Sequence, residues 1–428
     1  MIKILRYGET PDEEIFKRAS SSQAVSDIVS NILEDVKNRG DGALREYSLK
    51  YDGAKLDDIE VPKFIIKDAV ESVDSDVMDL LKRSAENIRD FHRRQVRQGF
   101  VISEKPGIVL GQKVVPVSVA GIYVPGGTAP LVSTVLMDAI PAKIAGVRQI
   151  VMVTPPGRDG KVNPMILAAA YVAGVDRIFA VGGAQAIAAL AYGTETIPKV
   201  DKIVGPGNVY VAEAKKQVSG DVGIDMIAGP SEILIIADGK SDPAIVAADM
   251  LSQAEHDKNA SAVLITNSME LAKNVDKEIE KQIAFLPRNE IAMASILGNG
   301  RIIVVESLNQ AIEISDALAP EHLEICVDNP FDYLDRVHNA GSVFLGRSCP
   351  EALGDYMAGP NHTLPTGGRA RFCSPLSVDD FVKRYQFTYY SKSALAAVAP
   401  DVAAFARLEG LEAHARSALS RSAQSQSE

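Results

Sequence analysis

Apolar residues recur along this chain with two different periods, and the change between them divides it into regions. In residues 22–38 and 73–95 the apolar positions follow the helical period, which predicts two helices. From residue 112 onward, short apolar runs of strand length alternate with helical patterns. We expect strands at residues 114–127, 149–153, 177–181, 202–204, 233–236, 261–266 and 301–305. We expect helices at residues 164–172, 184–192, 242–256, from 268 onward and at 308–318.

Strands that alternate with helices at this spacing are typical of a parallel sheet with right-handed crossovers. The chain is therefore predicted to be an α/β protein with parallel-rich sheets. In such sheets, ligands bind beyond the carboxyl ends of the strands. Four glycine-bearing segments are expected at those ends, at residues 123–127, 182–185, 205–208 and 228–231.

These glycine segments suggest a nucleotide site. Glycine lets the backbone approach a phosphate, and Gly182-Gly183 at the start of a helix would offer free N–H groups to a pyrophosphate. Tyr123, Gln185 and Asn208 could hydrogen-bond a nucleotide, so a dinucleotide is the natural candidate. However, no GxGxxG fingerprint follows any strand, and glycine after a strand is commonly turn punctuation. A dinucleotide site and ordinary turns are both open explanations at this point.

The helix expected at residues 242–256 carries candidate metal ligands. Asp242 suits the N-cap and Pro243 suits the first helical position. Counted from there, Asp249, Gln253 and His256 share one helix face. An amide oxygen and an imidazole that converge at a helix end can hold a divalent metal or a polar substrate, although an ordinary helix end explains them too.

A carboxylate and an imidazole adjoin at Glu321-His322, at the entrance of an apolar strand. Histidine is a competent general base near neutral pH, and a neighbouring glutamate can activate water. The pair is therefore a candidate for proton transfer. The alternative is a helix end with a satisfied histidine.

The segment 341–368 is predicted to be a strand followed by a long functional loop rich in glycine and proline. Its candidates for chemistry are Asp355 and His362. His338, expected on the preceding helix, has no evident partner, and His92 is expected on a basic, solvent-facing helix surface. We assign no chemistry to His338 or His92.

Composition narrows the class of protein. The 428 residues are 46% hydrophobic, enough for two or more domains, and the net charge of −11 argues against nucleic acid or an anionic membrane as partner. We expect a cytoplasmic protein, since no signal peptide or membrane-spanning segment is evident. Cys326, Cys349 and Cys373 are odd in number and lack CxxC spacing. Any metal must therefore use nitrogen and oxygen ligands.

The last residues, 381–428, are alanine-rich and predicted to be helical, with no sheet to join. We interpret them as an arm that packs on the body or on a partner. Glu409 closes one helix, Gly410 breaks it, and His414 lies in the next turn.

The motifs taken together resemble a known family. In chain order they are VAGIYVPGG, VGGAQAIAALAYGT, GPGN, AGPSE, LSQAEH, APEHLE, GDYMAGPNHTLPTGG and EGLEAH. This series, which runs over nearly the whole chain, is similar to that of the histidinol dehydrogenases. The resemblance implies a zinc- and NAD-dependent enzyme that oxidises L-histidinol to L-histidine through L-histidinaldehyde, the end of histidine biosynthesis.

The resemblance also implies roles for individual residues. One zinc per subunit would be held by Gln253, His256, Asp355 and His414. The catalytic pair would be Glu321 and His322, and NAD would contact Tyr123, Gln185 and Asn208. The substrate would contact Ser231, Gln253, His256, His322, Asp355, Glu409 and His414.

The implied architecture is two incomplete Rossmann-like domains with small helical segments at both termini. Residues 21–121 and 232–376 would form the first domain, which carries the metal and catalytic residues, and residues 122–231 the second, on the NAD side. Residues 1–20 would be an N-terminal helical segment, and residues 377–428 a C-terminal arm. The family forms homodimers in which this arm supplies its Glu and His to the partner's site.

Three alternatives compete with this interpretation. A related zinc enzyme could oxidise another alcohol, such as a sulfonated diol, but Glu409 suits a cationic amino group. A non-catalytic nucleotide-binding protein would not need Glu321, His322 and the metal ligands. Aldehyde oxidation through a cysteine thiohemiacetal is disfavoured, because Cys326 is expected in the core and the other two cysteines match no catalytic position of the family.

Overall fold

The computed structural model describes residues 2–18, 23–126 and 130–423. The chain divides into two compact units. The first comprises Met1–Gln95 and Val117–Phe381, and the second comprises Val96–Pro116 and Val382–Glu428.

Parallel strands and the helices that connect them make up most of the described chain. The strands are β1 (Lys3–Arg6), β2 (Phe100–Ile102), β3 (Ile108–Pro116), β4 (Val119–Tyr123), β5 (Gln149–Thr154), β6 (Arg177–Ala180), β7 (Lys202–Val204), β8 (Gly223–Ile224), β9 (Glu232–Ala237), β10 (Ser261–Thr266), β11 (Arg301–Val304), β12 (His322–Cys326), β13 (Ser342–Leu345) and β14 (Val382–Tyr390). The helices are α1 (Asp12–Ile15), α2 (Gln23–Arg39), α3 (Asp41–Tyr47), α4 (Lys63–Ser72), α5 (Ser75–His92), α6 (Val132–Ala145), α7 (Pro164–Ala173), α8 (Gly183–Tyr192), α9 (Val209–Val218), α10 (Pro243–Ala254), α11 (Met269–Ile283), α12 (Asn289–Asn299), α13 (Leu308–Leu318), α14 (Phe331–Leu334), α15 (Glu351–Tyr356), α16 (Lys392–Leu408) and α17 (Glu412–Ala423).

The first unit contains a five-stranded parallel sheet in the order β6-β5-β4-β7-β8. Alternate residues of β5 face opposite sides: Ile150 and Met152 pack with α4 to α7, whereas Val151 and Val153 pack with α2, α3, α8 and α9. Because helices cover both faces, the strands are apolar throughout rather than alternating. This explains the short continuous apolar runs in the sequence.

The first unit also contains a six-stranded parallel sheet in the order β1-β11-β10-β9-β12-β13. Ile233 and Ile235 of β9 pack with α10, α11 and α12, and Leu234 and Ile236 face α13. The predicted α/β class with parallel-rich sheets is therefore confirmed. The finer division of the chain into five segments stays a prediction.

Each parallel sheet has a point where the strand order reverses. In the five-stranded sheet the chain proceeds from β4 to β5 and β6 on one side, and β7 and β8 lie on the other. In the six-stranded sheet β10 and β11 follow β9 on one side, and β12 and β13 lie on the other. The crevices beyond the carboxyl ends at these points, between β4 and β7 and between β9 and β12, are the expected ligand positions.

The second unit is built differently. Its sheet is antiparallel, in the order β14-β3-β2, and β14 pairs with β3 along its whole length, from Val382 with Pro116 to Tyr390 with Ile108. Helices α16 and α17 pack together through Ala403, Ala406 and Ala415.

Two predictions about this region were wrong. The strand expected from residue 114 is two strands, because Pro116 ends β3 and the N–H groups of Ser118 and Val119 donate to Asp201 rather than to a neighbouring strand. Gly127, its expected last residue, lies outside the described residues. The C-terminal segment was expected to join no sheet, yet β14 is rich in tyrosine and other strand-forming residues and pairs with β3.

The predicted start of α10 is confirmed and its end is not. The Asp242 side chain caps the helix by accepting from Ala244 N–H, and Pro243 is the first residue. The helix ends at Ala254, so His256 lies beyond it and does not share a helix face with Gln253. The His256 N–H instead donates to the Gln253 carbonyl (3.2 Å), in a turn that closes the helix. Among the described residues, no helix combines the length and hydrophobicity needed to cross a bilayer.

Candidate functional site

The acid–base pair lies at the amino edge of the six-stranded sheet. Glu321 immediately precedes β12, His322 is its first residue, and both are buried. Glu232, the first residue of neighbouring β9, holds both side chains with its backbone. Its N–H donates to Glu321 Oε2 (2.7 Å), and its carbonyl accepts from His322 Nδ1 (3.0 Å). Because a carbonyl can only accept, Nδ1 carries the proton and Nε2 is left with its lone pair.

The environment favours the neutral form of both members of the pair. Burial lowers the pKa of His322 to about 4, and His362 and His256 act in the same direction against Asp355. Burial likewise raises the pKa of Glu321 well above its ordinary value, and nearby carboxylates raise it further. Near neutral pH, His322 is therefore an unprotonated base.

Two carboxyl groups, those of Glu351 and Asp355, lie near the His322 ring, and Glu351 faces its free Nε2. His322 Nε2 lies 3.7 Å from Glu351 Oε1, and one ligand atom each from His322, Glu351 and Asp355 lie within 4.8 Å of one another. Glu351 is buried, and its Oε1 has no hydrogen-bond partner among the described residues. Burial and the neighbouring Asp355 raise the pKa of Glu351 to about 9. Nitrogen and oxygen atoms grouped in this way can hold a cation.

Asp355 is paired with His362, the other candidate of the long loop. Their Oδ1 and Nδ1 atoms are 3.4 Å apart, and His362 Nε2 lies 3.3 Å from Thr134 Oγ1. Burial by itself raises the pKa of Asp355, but the hydrogen bond and charge of His362, with His322 and His256, lower it to about 2. Asp355 is therefore a carboxylate at neutral pH.

The end of α10 adjoins this cluster. Ser252 Oγ lies 3.4 Å from Glu351 Oε2, which joins α10 to α15. Gln253 is buried, and its Oε1 has no hydrogen-bond partner among the described residues. A buried amide oxygen without a partner is costly unless a ligand satisfies it. His256 is exposed, and it interacts electrostatically with Asp355.

The remaining predicted metal and substrate residues are divided between the two units. Ser231 immediately precedes β9, and its carbonyl accepts from Ser261 N–H (3.0 Å). Glu409 is the C-cap of α16 and His414 lies in α17, both exposed in the second unit. Gly410 between them has a φ of +75°, so the predicted helix break is confirmed.

The two histidines to which we assigned no chemistry are both paired. His92 was expected at the surface but is buried, with Nδ1 2.7 Å from Gln95 Oε1 and Nε2 3.5 Å from Asn361 Nδ2. His338 was expected on a helix without a partner, yet it follows α14 and its Nδ1 lies 2.9 Å from Asp316 Oδ2.

Helix α5 holds the loop that follows Asp355. Ser84 Oγ donates to the Tyr356 carbonyl (2.6 Å), and Asn87 Nδ2 donates to the Met357 carbonyl (2.7 Å). Together with His92 they fix the loop from the α5 side. The basic appearance of the FHRRQ sequence concealed this role, because the arginines and the histidine point in different directions.

The predicted nucleotide residues lie around the carboxyl edge of the five-stranded sheet. Tyr123 ends β4, and its hydroxyl accepts from Gly183 N–H (3.1 Å) at the start of α8. A Cβ on Gly183 would come within 2.7 Å of Gln185 Oε1, so Tyr123 and Gln185 meet at this glycine. Asn208 caps α9, accepting from the N–H groups of the next helical turn. Tyr123 and Asn208 thus flank the crevice between β4 and β7.

A cavity of about 480 Å³ is lined by residues next to Glu321 and His322 in the structure, but not by these two side chains or by the donor cluster. Its lining includes Pro230, Glu232 and Gly367 near the pair, and Val209 immediately after Asn208.

Fold and site together define an α/β protein with a buried Glu–His pair, a nitrogen- and oxygen-donor cluster and a glycine-lined crevice at a strand reversal. The comparisons with known proteins agree. A sequence model of the family "Histidinol dehydrogenase" matches residues 16–422. The chain therefore belongs to the histidinol dehydrogenase family, and it is an oxidoreductase, as its motifs predicted.

The relatives match over almost the full length. A histidinol dehydrogenase from Clostridium acetobutylicum is 53% identical over 422 residues, which cover 97% of this chain and 98% of that protein. One from Bacillus subtilis is 54% identical over 389 residues, 91% of each. The crystal structure of histidinol dehydrogenase from Elizabethkingia anophelis superposes with a TM-score of 0.92, at 39% identity and with 100% of both chains covered.

Two residues of the site, Glu232 and Glu351, were not predicted from the sequence. Glu232 lies in the AGPSE motif, but its role is carried by its backbone, which sequence does not reveal. Glu351 had a detectable signal: it precedes Asp355 by four residues, the spacing that places two carboxylates on one helix face.

Proposed function

We propose that this protein oxidises L-histidinol to L-histidine through L-histidinaldehyde, using zinc and two molecules of NAD, in the last steps of histidine biosynthesis. The observation that carries the proposal is the Glu232 backbone, which holds Glu321 and leaves His322 Nε2 as a free base. Family membership supplies the reaction that such a base would serve.

The residues present fit a zinc ion. Gln253 and Glu351 each have a buried oxygen without a hydrogen-bond partner among the described residues, and Asp355 is held as a carboxylate. We propose that Gln253, His256 and Asp355 of one chain hold the zinc together with His414 of a second chain. When bound, zinc would supply a positive charge that binds and orients the nitrogens of the substrate.

NAD is proposed to bind in the crevice between β4 and β7, in contact with Tyr123, Gln185 and Asn208. When bound, it supplies the hydride acceptor for each oxidation. Ser231, with Glu409 for the substrate amino group, would complete the substrate contacts. The cytoplasmic location expected from the sequence stays a prediction.

The acid–base pair accounts for the proton transfers. In the first oxidation, His322 Nε2 takes the hydroxyl proton of the alcohol as its C–H bond releases a hydride. Glu321, whose raised pKa makes its carboxylate form a stronger base, then removes a proton from water as the water oxygen adds to the aldehyde carbon. The protonated His322 returns its proton to the aldehyde oxygen, which gives the hydrate and leaves His322 Nε2 free again. His322 takes a hydroxyl proton from the resulting hydrate as the second hydride leaves, which gives the carboxylic acid. The second oxidation therefore needs both residues, and the first needs His322.

A steady-state assay with purified, zinc-loaded protein tests the proposal. Histidinol should give two NADH per histidine formed, followed by absorbance and by chromatography of the product. A sulfonated diol, run in parallel, should give no NADH. Glu321→Ala should slow aldehyde oxidation more than alcohol oxidation. If histidinol gives no NADH, the proposed function is wrong, and equal losses in both steps would contradict the division of roles.

We further propose a homodimer in which each site combines the first unit of one chain with Glu409 and His414 of the other. His414→Ala and Asp355→Ala homodimers should both be nearly inactive, because each lacks one zinc ligand. In a mixed dimer, one site carries both defects and the other carries none. Random mixing should restore up to about a quarter of wild-type activity. If mass spectrometry shows mixed dimers and activity does not return, the arm serves its own chain.

A further inference from the structure

A buried ion pair lies beneath the glycine loop that follows β7. Lys215 of α9 and Asp225, which follows β8, form an ion pair with side chains that are 2% and 0% exposed. Removing two charges from water in this way costs free energy that their attraction alone seldom offsets. The groups that this pair holds are therefore of interest.

The pair holds both polar groups of one residue. Asp225 Oδ2 accepts from Gly205 N–H (2.9 Å), and Lys215 Nζ donates to the Gly205 carbonyl (2.9 Å). Gly205 has a φ of +114°, and a Cβ there would clash with the Tyr123 carbonyl and come within 2.8 Å of Asp138 Oδ2. The glycine is thus pressed against Tyr123 and Asp138 on one side and held by the ion pair.

Gly205 is the first residue after β7, at the crevice where the strand order reverses. Three residues later, Asn208 caps α9, the helix that carries Lys215. The ion pair therefore connects α9, the segment after β8 and the loop 205–208 that lies between Tyr123 and Asn208. Neither charged side chain reaches solvent, so Lys215 and Asp225 cannot contact a ligand directly.

We propose that Lys215 and Asp225 are positioning residues for NAD, which hold the loop 205–208 in the shape that the dinucleotide binds. The inference rests on the proposed function, and it assigns to these two residues an effect on NAD affinity rather than on the chemical step. A loop that is already held in its bound conformation loses less conformational entropy when the ligand binds, so the affinity is higher.

The test is the double variant Lys215→Met/Asp225→Asn. It removes both charges together, and the new amide oxygen at position 225 can still accept from Gly205 N–H. The anchor on the Gly205 carbonyl and the hydrogen bond from Met226 N–H to Asp225 Oδ1 (2.6 Å) are lost with the charges. We expect the Kd and KM for NAD to rise about tenfold or more, with kcat at saturating NAD and the KM for histidinol within about twofold. Kd would be measured by isothermal titration calorimetry. Hydrogen exchange of a peptide spanning 200–210 should also become faster.

The matched control is Lys143→Met, which removes the ion pair with Asp176 (3.0 Å) on the same sheet but does not touch the loop. Its NAD affinity should equal that of the wild type. Should the double variant fail to fold, Lys215→Arg, which keeps both charges but changes the group that reaches the Gly205 carbonyl, provides the NAD Kd instead. An NAD Kd unchanged from wild type in the folded variant would overturn this inference alone, whereas a wild-type protein that binds no NAD would overturn the proposed function as well.

Discussion

The two parallel sheets of the first unit have the same kind of strand reversal but use it differently. In the five-stranded sheet, glycine loops and Tyr123 surround the crevice beyond the carboxyl ends of β4 and β7. In the six-stranded sheet, Arg347 fills the equivalent crevice: its guanidinium binds Asp238 after β9 (2.6 Å) and Asp328 after β12 (2.6 Å). Its Nε also donates to Ser241 Oγ (3.2 Å).

In the six-stranded sheet, the candidate catalytic residues lie at the opposite edge, where the amino ends of the strands meet. Glu232, Glu321 and His322 lie at the amino ends of β9 and β12, and α10 returns Gln253 to the same edge because a crossover helix runs antiparallel to its strands. The comparison teaches that a strand reversal marks a ligand site only where the following loops leave it open. Four predictions test this difference between the sheets.

Metal removal should have the largest effect. Prolonged EDTA treatment should abolish histidinol oxidation, and added zinc should restore it, because the donor cluster is on the six-stranded sheet. NAD binding, measured by calorimetry, should persist in the metal-free protein, since the proposed NAD residues are on the other sheet. Full activity of metal-free protein, verified by elemental analysis, would disprove the zinc assignment.

His322→Ala should lower turnover by about 10² to 10⁴, the usual contribution of one general base. Substrate and NAD affinities should change little. His338→Ala is the matched control, since His338 is exposed and pairs with Asp316 away from the site. Steady-state kinetics with histidinol and with histidinaldehyde would measure the loss. A loss below tenfold in both would exclude His322 as the base.

Asp138→Asn should change how stability depends on pH. Burial raises the pKa of Asp138 from 3.8 to about 7, with Asp225 acting in the same direction and Thr363, His362 and Lys215 opposing it. The folded protein therefore binds this proton more tightly than the unfolded chain does. The bound proton adds to the free energy of unfolding below pH 4, and this addition is lost as the pH rises from about 4 to 7.

The asparagine side chain does not titrate, so the variant does not lose stability over this pH range. It also keeps an acceptor for Thr363, whose Oγ1 donates to Asp138 Oδ1 (2.8 Å). At pH 8 its free energy of unfolding should exceed that of the wild type by up to about 4 kcal/mol, with little difference at pH 4. Urea unfolding across this range measures it. Parallel pH curves for the two proteins would show that Asp138 does not titrate there.

Arg347→Met should have the smallest effect of the four, and it tests the carboxyl edge of the six-stranded sheet directly. It removes the ion pairs that close the second crevice, and we expect a loss of about 1–2 kcal/mol in the free energy of unfolding. The turnover number and the NAD affinity should stay within about twofold of wild type. A large drop in turnover would show that the carboxyl edge of this sheet also takes part in the reaction.

Much of the fold was predictable because it depends on neighbours along the chain. The start of α10 depends only on the neighbouring residues Asp242, Pro243 and Ala244, which form the cap and the first turn. The apolar runs identified strands that helices cover on both faces. The series of motifs from VAGIYVPGG to EGLEAH identified the family, and the roles that it implies for individual residues stay predictions.

The tertiary structure decided what depends on residues far apart in sequence. His92 has the same basic neighbours in the sequence as a surface histidine, but Asn361, 269 positions away, packs against it. The pairing of β14 with β3 joins segments separated by residues 117–381, and the alanine-rich sequence after β14 did not indicate a strand. The role of Glu232 depends on its N–H and carbonyl facing β12, a consequence of strand order. Local sequence sets capping and period, whereas the partner of a buried polar group is chosen only when the sheets form and bring distant segments together.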